Sequence, residues 1–176
     1  MKFVFPSFEY ENKAKDYICE FHEYKSEVHG SGGLGRYLDN SSYEDWIKCV
    51  LSDMDIANIA PGKVPALTYF YVREQDERIV GMINIRLALN DFLRTEGGHI
   101  GYSVRPTERK KHYATDMLRD TLGFCKVIGL KEVIITCDKA NPASAGVIKN
   151  CGGLLDAEFF SDTFKAIIQR YIIKSE

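Results

Sequence analysis

Between His99 and Asp138 the chain has few ways to fold. The run "HIGYSV" alternates like a strand and stops at Pro106, which has no N–H to donate to a ladder. Directly after it, Ala114, Met117, Leu118, Thr121, Leu122, Cys125 and Ile128 recur at helical spacing until Gly129 closes the segment. "KEVIITCD" follows as a short, nearly continuous apolar run, the pattern of a strand buried on both faces. Strand, helix and strand over residues 98–136 predict a parallel pair with a right-handed crossover inside a mixed sheet.

The flanking segments add elements to this unit. Tyr10, Ala14, Tyr17, Ile18, Phe21 and Tyr24 fall on one helical stripe, with Ser7 available as a cap. A second helix begins at a capping box of Ser41 and Glu44 and carries Tyr43, Trp46, Ile47, Val50, Leu51 and Met54. "PALTYFYVRE" and "RIVGMINIRLAL", separated by "EQDE", read as an antiparallel hairpin. Its second strand sets Ile79, Gly81, Ile83, Ile85 and Leu87 on one face and Asn84 and Arg86 on the other. Downstream, "NPASAGVIKNCGG" is a helix with Asn141 as N-cap, Pro142 at its first position and Gly152 past its end. "GLLDAEFF" and "FKAIIQRYII" close the chain as strands. The order is α-α-β-β-β-α-β-α-β-β, an α/β (α+β) fold with a mixed, mostly antiparallel sheet flanked by helices.

Composition narrows the function classes. A chain of 176 residues suits one domain, here taken as 1–176, with a sizeable core. The net charge of −2 makes the basic run at 109–112 a local feature, so no nucleic-acid footprint is expected. Cys19, Cys49, Cys125, Cys137 and Cys151 are odd in number and far apart, with no C-x-x-C pair and no His at ligand spacing. Reduced core thiols and no metal site follow. "MKFVFPSFEYEN" is too short an apolar run for a signal peptide, and no stretch approaches the roughly 18 apolar residues of a membrane span. A cytoplasmic protein without membrane contact is the expectation.

Two segments compete for a phosphate-binding role. In "HGSGGLGRY", Gly30, Gly32 and Gly35 match G-x-G-x-x-G, but the segment follows a helix where a strand is required, and Arg36 and Tyr37 replace the Lys and Ser/Thr of a phosphate loop. It reads as a flexible interhelix loop or one that shapes a pocket, with a nucleotide- or nucleic-acid-binding role as the lesser reading. In "VRPTERKKHYATDML", a strand ends at Val104 and a helix opens near Glu108 to Lys111 with unsatisfied N–H groups. Arg109, Lys110, Lys111 and His112 then stand in a first turn where the macrodipole disfavours cations. An anion seated against them resolves the conflict, and the segment reads as a phosphate cradle.

These residues carry a family resemblance. "VRPTERKKHYATDML" resembles motif A of the GNAT superfamily of N-acetyltransferases, whose Q/R-x-x-G-x-G/A turn binds the pyrophosphate of acetyl-coenzyme A. "NPASAGVIKNCGG" is similar to the motif B helix that follows, with its N-x-x-S and late K-x-x-G-G/F. The likeness covers the element order of residues 66–173 and is nearest in motif style to bacterial general and ribosomal-protein acetyltransferases. It implies a GNAT-like fold with acetyl-CoA as cosubstrate, bound by Arg109, Lys110, Lys111, His112, Tyr113, Ala114 and Thr115. Arg109 falls on the Q/R position, Ala114 on the final G/A, and His112 where the first glycine normally permits close backbone approach to phosphate. His112 either keeps ordinary helical angles with its ring outward, narrows the cradle, or contacts phosphate or adenine through its ring.

The same resemblance implies a mechanism. Tyr102, Ser103 and Val104 hold the pantetheine arm through their backbone, and donation near Val104 polarises the thioester carbonyl. Glu96, His99 or a water takes the proton of the incoming amine. Many family members supply a tyrosine acid where this chain has Ile148. Ser144 is the substitute, and Asn141 and Ser144 are coenzyme contacts; ordinary helix capping is the competing role. Cys137 and Cys151 read as core thiols, Trp46 with Tyr43 as a core anchor or a pocket wall, and Lys149 as a coenzyme contact or a plain helix-end lysine. Asn84 and Arg86 either line an acceptor cleft or face solvent. The implied activity is direct acetyl transfer to a primary amine of a small molecule or a protein N-terminus, with a homodimer through the C-terminal strands; the alternative is a non-catalytic acyl-CoA-binding module of the same fold.

Overall fold

The computed structural model describes residues 1–174. They divide into two compact units, Met1–Ala88 with Gly101–Tyr113, and Leu89–Ile100 with the chain from Ala114 onward.

The first unit is built on a four-stranded sheet in the order β1-β2-β3-β4. The strands are β1 (Lys2–Val4), β2 (Ala66–Arg73), β3 (Arg78–Arg86) and β4 (Ile100–Val104). β2 and β3 form the expected hairpin, pairing antiparallel from Ala66↔Arg86 to Arg73↔Arg78 with a bulge after Tyr71. β1 pairs antiparallel with β2 through Lys2↔Val72 to Val4↔Phe70, a strand that the sequence reading left out. The helices are α1 (Glu11–Glu23), α2 (Leu34–Asn40) and α3 (Tyr43–Ser52). Tyr17 and Phe21 of α1, Trp46 and Val50 of α3, and Phe70, Ile79 and Met82 of the hairpin form one buried cluster. Trp46 is the expected anchor, fully buried, donating from Nε1 to the Ser31 carbonyl at 3.0 Å and packed 5.2 Å from Tyr43.

Three expectations are corrected in this unit. Residues 34–40 are helix rather than loop. The cap of α3 is Ser42, whose Oγ accepts from the Asp45 N–H at 3.1 Å, one residue beyond the expected Ser41–Glu44 box. β3 is buried on both faces, so Asn84 neither lines a cleft nor faces water; its Nδ2 donates to Thr68 Oγ1 at 3.0 Å. Arg86 at the strand end is half-buried, and burial lowers its guanidinium from the ordinary range.

The second unit holds an antiparallel three-stranded sheet in the order β5-β7-β6, formed by β5 (Glu132–Asp138), β6 (Leu154–Ser161) and β7 (Ala166–Lys174). Its helices are α4 (Tyr113–Val127) and α5 (Pro142–Asn150). β5 alternates buried Val133, Ile135 and Cys137 with more exposed neighbours, so it is covered on one face rather than two. β4 and β5 fall in separate sheets, where the sequence predicted a parallel pair within one. A backbone bond from His99 N–H to the Ile134 carbonyl, 2.7 Å, stands just ahead of β4. A π-turn at Leu93–Gly97, capped by Asn90 Oδ1 on the Leu93 N–H at 2.9 Å, was also unforeseen.

Candidate active site

The segment after β4 is not the opening of a helix. Pro106–Glu108 makes a single 3-10 turn and α4 starts only at Tyr113, so Arg109 to His112 form a separate turn ahead of it. The reason is the backbone: Lys110 and His112 adopt φ of 63° and 64°, left-handed angles no α-helix accommodates. His112 therefore does not keep helical angles; it takes a left-handed angle that glycine reaches at no steric cost. Each such residue costs about 1–2 kcal/mol when it carries a side chain. Left-handed residues in a turn splay successive N–H groups into an anion-binding concavity. Among the described residues, no backbone hydrogen bond is donated by the N–H groups of Lys110 to Thr115, either within this turn or onto the residues that precede it. Six donors ahead of and within the first turn of α4 are thus available to an anion.

The basic side chains divide their roles. Arg109 reaches back from the turn: its Nε donates to the Val104 carbonyl at 3.2 Å, its Nη2 to Ser26 Oγ at 2.7 Å, and its guanidinium lies 5.6 Å from the Phe21 ring. Lys111 is tied to Glu108 at 2.7 Å. Glu108 is 4% exposed, and its oxygens also accept from Arg73 Nη1 at 3.1 Å. Burial opposes the Glu108 charge, but Lys111 and Arg73 outweigh it and hold its carboxyl below the ordinary range. Lys110 and His112 are exposed at the rim.

β4 is shaped from one side by the glycine loop. Gly30 (φ 66°) crosses against Gly101 so closely that a Cβ there would overlap the Gly101 carbonyl. Ser103 Oγ donates to the His29 carbonyl at 2.6 Å, and Tyr17 OH lies 3.1 Å from Ser103 Oγ and 3.2 Å from the Ser103 carbonyl. The loop is a docked brace, not a flexible connection, and the Ser103 hydroxyl is engaged by it. Arg105 N–H donates to the Val80 carbonyl of β3 at 2.9 Å, so strand alternation turns the Val104 N–H away from β3. β4 is the edge of its sheet, and that N–H faces outward beside the half-exposed Tyr102.

In the second unit Asn141 caps α5 as expected, its Oδ1 accepting from the Ser144 N–H at 3.1 Å. Burial pushes the pKa of the Cys137 thiol up, an effect that the neighbouring Ser144 hydroxyl opposes. Ile148, at the usual tyrosine position, is fully buried. Lys149 Nζ lies 5.9 Å from the Tyr171 ring. Thr115 is buried, and its carbonyl accepts from Cys151 Sγ at 3.6 Å. Glu96, in the π-turn, is half-buried and accepts from Ser161 Oγ at 2.6 Å, while its carbonyl accepts from Thr136 Oγ1 at 2.8 Å. His99 Nδ1 accepts from the Ile134 N–H at 2.9 Å, which places the proton of a neutral ring on Nε2 and removes Nδ1 as a base. No group of three or more His, Cys, Asp or Glu among the described residues could hold a metal.

Arg105, Glu20 and Tyr17 were missed by sequence reasoning. Arg105 is 1% exposed, with Nη1 2.8 Å from Asp16 and 2.9 Å from Glu20. Its one sequence signal is a charge set in an otherwise apolar strand end, immediately before Pro106.

Comparison with known proteins agrees with this geometry. The family model described as "Acetyltransferase (GNAT) domain" matches residues 11–153. None of the curated proteins matches the chain by sequence. Among solved structures, ribosomal-protein-S5-alanine acetyltransferase from Vibrio fischeri superposes with a TM-score of 0.73 at 14% identity, over 98% of this chain and 91% of that one. The ribosomal L7/L12 alpha-N-protein acetyltransferase in complex with coenzyme A gives 0.70 at 13% identity, covering 98% and 92%. The Microcin C7 self immunity acetyltransferase in complex with acetyl-CoA and AMP gives 0.69 at 16% identity, covering 98% and 91%. With its family match over 143 of 176 residues and the fold of these enzymes, the chain belongs to the GNAT acetyltransferases, N-acetyltransferases whose cosubstrate is acetyl-CoA.

Proposed function

We propose that this chain moves an acetyl group from acetyl-CoA directly to a primary amine of a small molecule or a protein N-terminus. The observation that carries the reading is the turn at 110–112, whose left-handed backbone leaves the N–H groups of Lys110 to Thr115 without backbone acceptors. That donor set fits a pyrophosphate, with Lys110 and His112 adding charge at its rim and Tyr113 and Ala114 contributing N–H groups. The outward Val104 N–H, beside Tyr102 and the Ser103 backbone, is the donor for the thioester carbonyl, where one such bond is worth about 3–4 kcal/mol. An amine with a pKa of about 8–10 must shed a proton before attack. Glu96 is the base proposed for it, directly or through a water, since its carboxylate has capacity beyond its bond to Ser161. Asn141 and Ser144 are proposed as coenzyme contacts, with Ser144 as donor to the departing thiolate. We retain a single acetyltransferase domain over 1–176, supported by a family match that includes residues of both units.

A second reading, an acyl-CoA-binding module without turnover, is favoured by one observation: Ile148 fills the tyrosine position as a core residue. Thermal unfolding with acetyl-CoA, CoA, NADH and ATP tests what both readings share. A ligand at a hundredfold over its Kd adds about 2.7 kcal/mol, a rise of roughly 5–11 °C for a chain of this size. A rise with acetyl-CoA and CoA alone is expected, and none at millimolar acetyl-CoA defeats the cradle. Release of free CoA in the presence of a panel of amines and N-terminal peptides then separates transferase from module.

A further inference from the structure

Left-handed angles on residues with side chains persist only where the surroundings over-determine them, and Lys110 and His112 hold two such angles in one turn. The residues that lead into the turn converge on one carboxylate, Glu20, beside the Arg105–Asp16 pair at 2.8 Å and the Arg73 bonds to Glu108. Glu20, in the last turns of α1, accepts from the Thr107 N–H at 2.9 Å, Thr107 Oγ1 at 2.8 Å, Arg105 Nη1 at 2.9 Å and Arg78 Nη2 at 3.0 Å. Burial opposes its charge, and the Thr107 N–H and the Arg105 guanidinium overcome that opposition, so the carboxyl titrates below its ordinary range. Arg105 is locked at its other end by Nε donation to the Ile79 carbonyl at 2.9 Å. The far side of the same segment is anchored to the same helix and its exit, through Arg109 on the Phe21 ring and on Ser26. Residues 105–109 are therefore pinned at both ends to α1, and residues 110–112 inherit that placement.

We propose that Glu20 is a positioning residue for coenzyme binding: it holds the turn at 105–109 so that Lys110 and His112 keep their left-handed angles and present their N–H groups. The proposal rests on the pyrophosphate reading of the cradle. Glu20 itself touches no coenzyme. Four donors converge on its two oxygens, so a carboxylate is required; an amide would turn an NH2 group toward a guanidinium or the Thr107 donors. Without the brace the turn relaxes toward helical angles, and its N–H groups are spent on helix bonds instead of an anion.

The test is calorimetric titration of acetyl-CoA into wild type, Glu20→Gln, His112→Gly and the double variant, with urea unfolding of each. Glu20→Gln is expected to bind acetyl-CoA about tenfold more weakly while still folded, the scale of one relaxed backbone strain. Because glycine reaches the left-handed region at no steric cost, Glu20→Gln with His112→Gly is expected to regain most of that affinity, which a general loss of stability would not produce. Unchanged binding in Glu20→Gln, or a loss that His112→Gly leaves untouched, overturns the positioning role alone. Absence of acetyl-CoA binding in wild type overturns the cradle reading and the inference with it. If Glu20→Gln fails to fold, Thr107→Val removes one of the four bonds, and a smaller weakening with the same rescue is the expected result; no weakening overturns the proposal.

Discussion

A histidine at φ 64° is under a strain that a single substitution removes. His112→Gly relieves about 1–2 kcal/mol of steric cost and adds roughly 0.5–1 kcal/mol of unfolded-chain entropy, so a gain of up to about 1.5 kcal/mol is expected. His112→Ala keeps the Cβ and gains nothing. Urea unfolding that ranks His112→Gly at or below wild type would mean that the imidazole makes a compensating contact. The need for a special residue at 112 was legible in the sequence, because the motif has glycine there; the histidine's own angle was not, since either conformation suits the letters. The same division runs through the neighbouring side chains. The partners of Arg109, Ser26 and Phe21, lie some eighty residues away, and no local pattern announces them.

At the level of elements, signals were legible where local chemistry was strong. Asn141, Pro142 and Gly152 delimited α5 from the letters alone, and Gly152 does take φ 88°. β1 was lost because three residues at a sheet edge carry too little periodicity to be distinguished from an apolar tail. α2 was lost because "LGRYLDN" follows three left-handed glycines and buries only Leu34. The start of α3 was off by one residue, since Ser41 and Ser42 are equally good caps in sequence and geometry alone chooses between them. Ser42→Ala removes the bond to the Asp45 N–H and is expected to cost about 1 kcal/mol. Ser41→Ala loses only an exposed hydroxyl contact to the Asp45 carboxylate and is expected to cost a few tenths by the usual scale of exposed surface changes. Chemical denaturation of the pair decides it, and equal losses would show that the two serines share the cap.

For the whole molecule, the order of the elements from β2 onward was legible, while the division into a four-stranded and a three-stranded sheet was not, because nothing in the letters of β4 and β5 assigns them to different sheets. Stability of the whole chain should show two pH limits with identifiable sources. Glu20 and Glu108 titrate below their ordinary range in the fold, so the unfolded chain takes up their protons first as the pH drops. Their contribution is complete above about pH 4.3 and is lost as the pH falls through the lower folded values. One contributor to the alkaline limit is Cys125 on the inner face of α4, where burial raises the thiol from an ordinary 9.0 to about 11. Here the unfolded chain loses its proton first, so stability is fully present below pH 9 and declines as the pH rises towards 11. Two pH units correspond to about 3 kcal/mol. Other groups also titrate in this range, so the informative quantity is a difference between variants. Cys125→Ala is expected to be less stable than wild type at pH 8, because it leaves a small void. The gap should narrow or reverse by pH 11, because the alanine has no proton to lose. Urea unfolding of both proteins at several values between pH 8 and 11 measures this; parallel alkaline limbs would show that the thiol ionises in the fold as readily as in the open chain.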